Sequence, residues 1–298
     1  MKILEGISLT KVYRSGWIGG RKIPALIDVT ISLEKGGSLS IIGESGAGKT
    51  TLAKVLLGIT TPTKGRVIFN GKDVTRGIPR NLRRLIGYIP QHPESALDPR
   101  WKLYDSIIEP LRIHRIDKRR EQVKKIIERV SLDEDVLQRR PHEVSGGELQ
   151  RAVIASSLII EPILLICDEP TSMLDASTQA DILRLIRSIK EDMNLSYLFI
   201  SHNVDVASFM GDRIGVMLAG RLIELAPSRE LLRNPLHPYT EVFINRKSVG
   251  AGESTKLRGC PFYDRCPHRM PICKKKAPKL EKLGEGHYIA CYRYHSED

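Results

Sequence analysis

The sequence has no long apolar run. Its longest apolar stretches, such as residues 153–155 and 158–160, are short and interrupted, whereas a helix that spans a bilayer needs about 20 consecutive apolar residues. The N-terminus at residues 1–5 also shows no apolar h-region of the kind that a secretory signal peptide contains. We therefore expect a chain that does not itself cross a membrane and that resides in the cytoplasm.

Aromatic side chains are missing from the basic stretches. The formal net charge is +12, which favours an anionic partner such as a nucleotide, a nucleic acid or an anionic lipid headgroup. Many of the charges lie in residues 112–129 and 274–276, and neither stretch interleaves the aromatic residues on which nucleic-acid bases stack. A solvated basic surface is the plainer interpretation, and we predict no nucleic-acid partner.

The pattern along the chain favours an α/β fold. The 298 residues are 41% hydrophobic, which is enough for one large domain and an appendage. Four apolar residues alternate with polar ones, as in a half-buried strand: Ile27, Val29, Ile31 and Leu33. Residues 92–140 carry helical periodicity. Further strands are predicted at residues 39–42, 163–167 and 197–200, and helices at residues 50–57 and 179–191. Strands that alternate with helices favour a mostly parallel sheet.

Residues 43–50 match the phosphate-loop pattern G-x-x-x-x-G-K-[ST] in full. Its glycines let the backbone curl until N–H groups point at phosphate oxygens, and the helix that follows adds its positive end. Lys49 supplies a charge for the β and γ phosphates, and the Thr50 hydroxyl is a ligand for Mg²⁺. The pattern therefore predicts that the chain binds ATP with Mg²⁺. The predicted binding residues are Gly43, Glu44, Ser45, Gly46, Ala47, Gly48, Lys49, Thr50 and Thr51.

Two adjacent carboxylates, Asp168 and Glu169, end the predicted strand at residues 163–167. Neighbouring side chains of a strand point in different directions, so Asp168 can hold Mg²⁺ while Glu169 reaches the attacking water as a general base. Two acids at a strand end also occur in ordinary turns. The phosphate loop in the same chain favours the catalytic interpretation.

Two more polar residues follow predicted strands. His202 comes after the strand at residues 197–200, and Gln91 comes after the strand-like residues 88–90. The carboxyl ends of parallel strands form the edge at which α/β folds bind their ligands. We therefore predict that His202 contacts the γ-phosphate. We also predict that the side-chain amide oxygen of Gln91 binds Mg²⁺ or the attacking water.

Residues 144–148, Val-Ser-Gly-Gly-Glu, resemble the signature of ABC ATPases, normally written L-S-G-G-Q. The other motifs of that family stand around it in the family order. They are the phosphate loop, Gln91 as Q-loop, residues 168–169 as Walker B, residues 172–175 as D-loop and His202 as switch histidine. Six motifs in this order are a specific resemblance.

The resemblance implies a mechanism in which two ATPases face each other head to tail. Residues Ser145, Gly146, Gly147 and Glu148 of one would close on the γ-phosphate that the other holds, because donors at a helix N-terminus suit an anion. It also implies that Tyr13 stacks on the adenine. Two positions depart from the family pattern: Glu148 replaces the usual Gln, and Asn203 replaces a frequent Asp. An extra carboxylate near a γ-phosphate would weaken closure.

Four stretches narrow the resemblance to the ATPases of oligopeptide, dipeptide and nickel importers. They are residues 91–100, 196–202, 234–240 and the cysteine-containing tail at 260–291. The implied fold is a P-loop, RecA-like core with an N-terminal antiparallel β subdomain, an inserted α-helical signature subdomain and a small cysteine-rich C-terminal extension. The implied limits are 1–245 for the nucleotide-binding domain, about 92–155 for the helical subdomain and 246–298 for the extension.

Members of this group work in an assembly at the cytoplasmic face of the membrane. The resemblance therefore implies as partners a second, non-identical ATPase, two transmembrane permease subunits and a substrate-binding protein outside the membrane. The insertion at residues 15–22, together with residues 196–198, resembles the F-type ATPase of such pairs more than the D-type. The expected cargo is an oligopeptide or dipeptide, and nickel or a sugar is the alternative.

A different class of ABC ATPase acts in DNA repair or on ribosomes without a membrane. Repair types carry long coiled-coil insertions, and ribosomal types carry two ATPase cassettes. This chain shows a single cassette and no long heptad run. The class is kept as the second hypothesis, and co-purification with nucleic acid or ribosomes would distinguish it.

Four of the five cysteines follow residue 259, with the spacing C-x5-C-x6-C-x17-C. A reducing cytoplasm disfavours disulfides. Structural zinc sites usually contain a tight C-x2-4-C pair, which is missing, whereas the spacings of iron–sulfur ligands vary more. We predict that Cys260, Cys266, Cys273 and Cys291 hold a [4Fe–4S] cluster, with zinc and uncoordinated thiols as alternatives. Cys167 is predicted to be a small buried apolar residue.

Overall fold

The computed structural model describes residues 1–15, 21–117, 119–245 and 259–294. The strands are β1 Lys2–Ser15, β2 Arg21–Glu34, β3 Ser38–Ile42, β4 Lys64–Phe69, β5 Lys72–Asp73, β6 Ile86–Ile89, β7 Leu164–Asp168, β8 Ser196–Ile200, β9 Arg213–Leu218, β10 Arg221–Pro227, β11 Glu281–Lys282 and β12 Tyr288–Ile289. The helices are α1 Lys49–Leu56, α2 Arg80–Arg83, α3 Leu103–His114, α4 Arg119–Val130, α5 Gly146–Leu158, α6 Ala176–Met193, α7 Val204–Met210, α8 Ser228–Arg233, α9 Pro238–Ile244 and α10 Pro271–Lys275. Within the described ranges, none of the helices is long and apolar enough to cross a bilayer.

The described residues divide into two compact units. Among these residues, the helical unit contains 1, 33–37, 78–117 and 119–199, and the phosphate-loop unit contains 2–15, 21–32, 38–77, 200–245 and 259–294. The predicted limits of the nucleotide-binding domain, its helical subdomain and the extension remain predictions. Most of the insertion at 15–22, on which the F-type assignment depends, lies outside the described residues.

In the helical unit, three strands lie side by side in the order β8-β7-β6. Strands β6 and β7 are parallel, with Ile89 opposite Cys167, so their carboxyl ends lie next to each other. Helices α3 and α4 pack on α5, and the helical periodicity predicted in this region is confirmed. Its apolar stripes are buried at Ile107, Ile108, Leu111, Val123, Ile126, Ile127 and Val130.

The phosphate-loop unit contains two sheets. Strands β2-β1-β4-β5 form one of them, and β4 pairs antiparallel with both β1 and β5. The antiparallel pairing agrees with the prediction, and the N-terminal β subdomain stays a prediction. In the other sheet, β11-β12-β10-β9-β3 follow one another, with β3 parallel to β9. The alternation predicted for β2 is confirmed at Val29, Ile31 and Leu33, which are buried. It is wrong at Ile27, which is half-buried, because Asp28 has a left-handed backbone (φ 53°) and Leu26 is buried instead.

The C-terminal segment, which we define as residues 259–294, is part of the phosphate-loop unit's core. Strand β12 pairs with β10, placing Ile289 opposite Glu224. Phe262 is buried in one apolar cluster with residues of β3 and β9, and Cys260 and Cys266 pack against that cluster. The predicted separate, cysteine-rich extension is therefore not supported, because this segment extends a sheet and shares a core with it.

Candidate functional site

The predicted phosphate loop lies between the end of β3 and the start of α1. Gly43 and Gly48 adopt positive φ angles of 154° and 101°. A Cβ atom on Gly48 would lie 2.4 Å from the carbonyl oxygen of Ala25, and one on Gly43 would lie 2.3 Å from that of Met217. Only glycine fits at either position, which is the backbone reason for the sequence pattern.

Lys49 is the first residue of α1, and its side chain is 5% exposed. Its ammonium group donates to the carbonyl oxygens of Gly43, at 2.9 Å, and of Glu44, at 3.1 Å. These bonds hold the charge inside the loop, at the positive end of the helix. A phosphate oxygen in the loop can therefore bind a cation that is already in place, and Thr50 and Thr51 follow in the first helical turn.

Glu169 and Gln91, each just beyond one of the two parallel strands of the helical unit, are in contact. The amide nitrogen of Gln91 donates to a carboxylate oxygen of Glu169 at 3.3 Å. Glu169 has a left-handed backbone (φ 47°), which turns the chain directly after the buried Asp168. The amide orients a carboxylate that, in its ionised form, can accept a proton from water.

Asp168 ends β7 with 1% of its surface exposed. Burial raises the pKa of the neighbouring Tyr88 to about 12, and the charge of Asp168 adds to that shift.

The predicted Mg²⁺ ligands are the Thr50 hydroxyl, the Asp168 carboxylate and the Gln91 amide oxygen, and such oxygen donors are the ones that Mg²⁺ prefers. Cys167, beside Asp168, is fully buried, as predicted.

His202 follows β8 and is exposed. The N–H of Ser201 donates to the carbonyl oxygen of Ile41 at 3.1 Å, so the backbone next to His202 is held beside the end of β3. Asn203 accepts hydrogen bonds from the N–H groups of Asp205 and Val206. Asn therefore serves as the N-cap of α7 at the position where the family often has Asp.

Tyr13 lies on β1 with 39% of its surface exposed. The ammonium of Lys11 stands 5.2 Å from the centroid of its ring. An exposed aromatic face can stack on a base, and the adenine-binding role of Tyr13 stays a prediction.

The signature residues form the N-terminus of α5. The Ser145 hydroxyl oxygen accepts from the Glu148 N–H at 3.3 Å. In return, one carboxylate oxygen of Glu148 accepts from the Ser145 N–H at 2.8 Å and from its hydroxyl at 2.7 Å. These bonds to Ser145 lower the pKa of Glu148. The glutamate that departs from the family pattern thus forms a capping box with the serine predicted to meet a phosphate.

Gly147 packs tightly against the helix after the D-loop. A Cβ atom on Gly147 would lie 2.9 Å from a methyl carbon of Thr178. Asp175, the last residue of the D-loop, caps α6 by accepting from the N–H groups of Ser177 and Thr178, and it also accepts the Thr178 hydroxyl at 2.7 Å. The D-loop therefore fixes the side chain against which the signature glycine packs.

The structure does not support the metal site predicted at the four C-terminal cysteines. Burial raises the pKa of Cys260 to about 11, with the other three thiols adding to it, and burial also raises the pKa of Cys266 and of Cys291. The part of the chain that the structure describes contains no group of three or more His, Cys, Asp or Glu side chains placed to hold a metal ion. The predicted [4Fe–4S] cluster and its zinc alternative are therefore not supported.

Two residues that contact the phosphate loop were missed in the sequence. The phenol oxygen of Tyr239 accepts from the Glu44 N–H at 3.3 Å, and the Arg265 guanidinium lies 3.8 Å from the Glu44 carboxylate. Burial raises the pKa of Tyr239, and the charge of Glu44 adds to the shift. No motif marks either residue, although Tyr239 lies in the segment 234–240 that resembles the importer ATPases.

Buried polar groups hold the chain around Tyr239. Glu224 is fully buried on β10 and accepts from the N–H groups of Leu236, at 2.8 Å, and His237, at 3.0 Å. It also bonds a ring nitrogen of His287 at 2.8 Å. Nδ1 of His237 accepts from the Tyr239 N–H at 3.0 Å and so caps α9.

The unfolding of the protein should depend on the protonation of His237. Burial lowers the pKa of His237 to about 4, and the Glu224 charge only partly opposes this shift. An exposed histidine has a pKa of about 6.5. As the pH falls from about 6.5 to about 4, the unfolded chain takes up a proton that the folded chain refuses. The free energy of unfolding should therefore fall by about 3 kcal/mol over this window.

The measurement is denaturant unfolding of the wild type and of His237→Asn between about pH 7 and about pH 4.5. Asn keeps an oxygen that can cap α9 but does not titrate. Its loss of stability on acidification should be smaller than that of the wild type by about 2–3 kcal/mol. Equal losses in the two proteins would show that His237 does not contribute.

The α/β sheets and the glycine-rich loop between β3 and α1 define a P-loop nucleotide-binding protein. The sequence profile of the ABC transporter family matches residues 26–172. That of the C-terminal region of oligopeptide/dipeptide transporters matches residues 223–249 and 245–273. The chain belongs to the ABC ATPase family of oligopeptide and dipeptide transporters, whose members couple ATP hydrolysis to transport.

Curated relatives match along nearly the whole chain. The oligopeptide transport ATP-binding protein AppF of Bacillus subtilis is 36% identical, with 91% of this chain and 90% of the relative covered. The di/tripeptide transport ATP-binding protein DppF of Pseudomonas aeruginosa is 35% identical, with 97% of each covered.

Solved structures share the fold. The cassette MJ0796, described as a dimer bound to ADP and Pi after hydrolysis, superposes with a TM-score of 0.68 and 27% identity, covering 76% of this chain and 99% of the cassette. CbiO1 of Clostridium perfringens, part of the transporter complex cbiONQ, gives a TM-score of 0.66 and 26% identity. The match covers 78% of this chain and 91% of CbiO1. These likenesses confirm the predicted P-loop α/β fold.

Proposed function

We propose that this chain hydrolyses ATP to power the import of oligopeptides or dipeptides. The observation that carries the catalytic part is the contact between Gln91 and Glu169 at 3.3 Å, just beyond two parallel strands, in a chain with a complete phosphate loop. The transport part is supported by relatives named for oligopeptide and di/tripeptide transport.

In this proposal each polar residue has one role in hydrolysis. Lys49 binds the β and γ phosphates, and Thr50, Asp168 and Gln91 hold Mg²⁺, which when bound neutralises charge on the phosphates. Glu169 takes a proton from the attacking water. His202 contacts the γ-phosphate, and Tyr13 stacks on the adenine. Support comes from the residue types, their positions after strands and the family relation.

The signature would act on ATP held by a second ATPase. The capping box supports the view that this signature is altered, because the Ser145 hydroxyl already donates to Glu148 at 2.7 Å. Binding a phosphate there would require the hydroxyl to exchange partners. We therefore propose a non-identical partner ATPase, two unequal ATP sites, and the F-type role for this chain, in keeping with its likeness to AppF and DppF.

We further propose that the pair works at the cytoplasmic face of the membrane. Closure of the two ATPases on ATP would change the conformation of two transmembrane permease subunits. A substrate-binding protein would deliver the peptide to them. The test is reconstitution of this chain, with the subunits encoded beside it, in lipid vesicles. A di- or oligopeptide should stimulate ATP hydrolysis and accumulate inside. Stimulation by nickel or a sugar alone, or co-purification with nucleic acid or ribosomes alone, would contradict the peptide proposal.

The isolated chain should be a weak, mostly monomeric ATPase. The reason is that two competent sites need the signature of a different subunit, so closure of two copies of this chain is disfavoured by the Glu148 carboxylates beside the phosphates. Light scattering gives the mass, and phosphate release gives the turnover. A tight homodimer without ATP, with the full activity of the assembled transporter, would contradict the proposed pairing.

A further inference from the structure

Glu44 connects the phosphate loop to the C-terminal segment. Its carbonyl oxygen accepts from the Lys49 ammonium at 3.1 Å, while its N–H donates to the phenol of Tyr239 at 3.3 Å. Its carboxylate, which is half exposed, lies 3.8 Å from the guanidinium of Arg265. One residue therefore contacts the phosphate-binding lysine, helix α9 and the C-terminal segment.

Tyr239 and Arg265 are held by the same aromatic residue. The Tyr239 ring is 2% exposed, stacks on Phe243 and meets the ring of Phe262 edge-on, with centroids 5.6 Å apart in both pairs. The Arg265 guanidinium lies 5.2 Å from the Phe262 centroid and is only 13% exposed. Packing of this kind restricts where the phenol and the guanidinium can be placed.

The support behind these residues is fixed to β10. Glu224 binds the backbone just before Tyr239 and bonds His287 of the C-terminal segment. Strand β12 of the same segment also pairs with β10. The two groups that touch Glu44 therefore stand on one rigid support.

We infer that Tyr239 and Arg265 are positioning residues of the phosphate loop, through which the C-terminal segment sets the affinity for nucleotide. The Tyr239 phenol fixes the direction of the Glu44 N–H at the start of the loop. The Arg265 cation offsets the Glu44 carboxylate, which otherwise repels the phosphates. The inference rests on the proposed function, since it requires the phosphate loop to hold ATP.

The charge effect can be isolated by substitution at Arg265. In full-length Glu169→Gln protein, which spares the ATP, Arg265→Met should weaken binding of a fluorescent ATP analogue by about three- to ten-fold at low salt, and by less at about 300 mM salt. Arg265→Lys should retain most of the affinity because it keeps the charge. Arg269→Met is the matched control, because Arg269 is exposed and its guanidinium lies over Tyr263 instead. The affinity of this variant for the ATP analogue should equal that of the parent protein.

Two further variants separate positioning from a general loss of structure. Glu44→Gln removes the repelling carboxylate, so Arg265→Met should weaken binding less in the Glu44→Gln protein than in the parent. Tyr239→Phe removes only the phenol oxygen and should weaken binding by about two- to five-fold. Melting temperatures of all variants identify any that are unfolded, and Tyr239→Phe decides the matter if Arg265→Met does not fold.

Unchanged affinity in both Arg265→Met and Tyr239→Phe would overturn the inference. An equal loss in the Glu44→Gln background would also overturn the role assigned to Arg265. Failure of the proposed function is distinguishable, because the parent protein would then bind ATP no better than Lys49→Ala.

Discussion

Replacing Glu169 by Gln is expected to preserve ATP binding and to lower turnover by about 10²–10⁴-fold. Glutamine keeps the shape of the side chain and an oxygen that can accept the hydrogen bond from the Gln91 amide. In the native protein this bond, to Glu169, measures 3.3 Å. Glutamine loses the basicity that proton transfer from water requires. The change therefore removes a contribution made in the transition state and leaves ground-state binding in place.

The measurement combines steady-state phosphate release with nucleotide titration in the assembled transporter. Glu161→Gln is a suitable control, because Glu161 is an exposed carboxylate shortly before the same strand β7, and this variant should keep normal turnover. Near-normal turnover in Glu169→Gln would exclude Glu169 as the base.

Lys49→Ala is expected to weaken ATP binding by about ten- to hundred-fold. The ammonium is buried, and the carbonyls of Gly43 and Glu44 hold it inside the loop. Alanine leaves the phosphates without this charge partner and leaves the two carbonyl oxygens without their donor. Unlike the change at Glu169, this loss acts on the ground state, so it should appear directly in a binding titration.

Lys54→Ala provides the control for a lysine lost from the same helix. Lys54 lies in the last turn of α1 and is exposed, so its removal should change the affinity by less than about two-fold. Equal affinities for Lys49→Ala and the wild type would contradict the assignment of residues 43–50 as the nucleotide-binding loop.

Several of the elements could be predicted because they depend on local rules. The strand at residues 39–42, the helix at 50–57 and the helix at 179–191 were expected from apolar spacing, and the structure has β3, α1 and α6 there. The burial of Leu26 in place of Ile27 could not be predicted, because the left-handed Asp28 shifts the alternation by one position before Val29. A pattern with a period of two does not show where such an irregularity falls.

The sequence by itself determined the phosphate loop, the Asp168-Glu169 pair and the family. The chemistry of the loop and of the acidic pair depends on residues that are adjacent in the sequence. These are glycines at positive φ, a lysine at the start of a helix and two acids at the end of a strand. The tertiary structure alone decided that the C-terminal segment joins β10 and that Tyr239 and Arg265 meet Glu44. It also gave no support to the metal site predicted at the described thiols. The two contacts with Glu44 link residues that are about 200 positions apart in the chain. No local periodicity encodes such a distance, because packing between elements sets it.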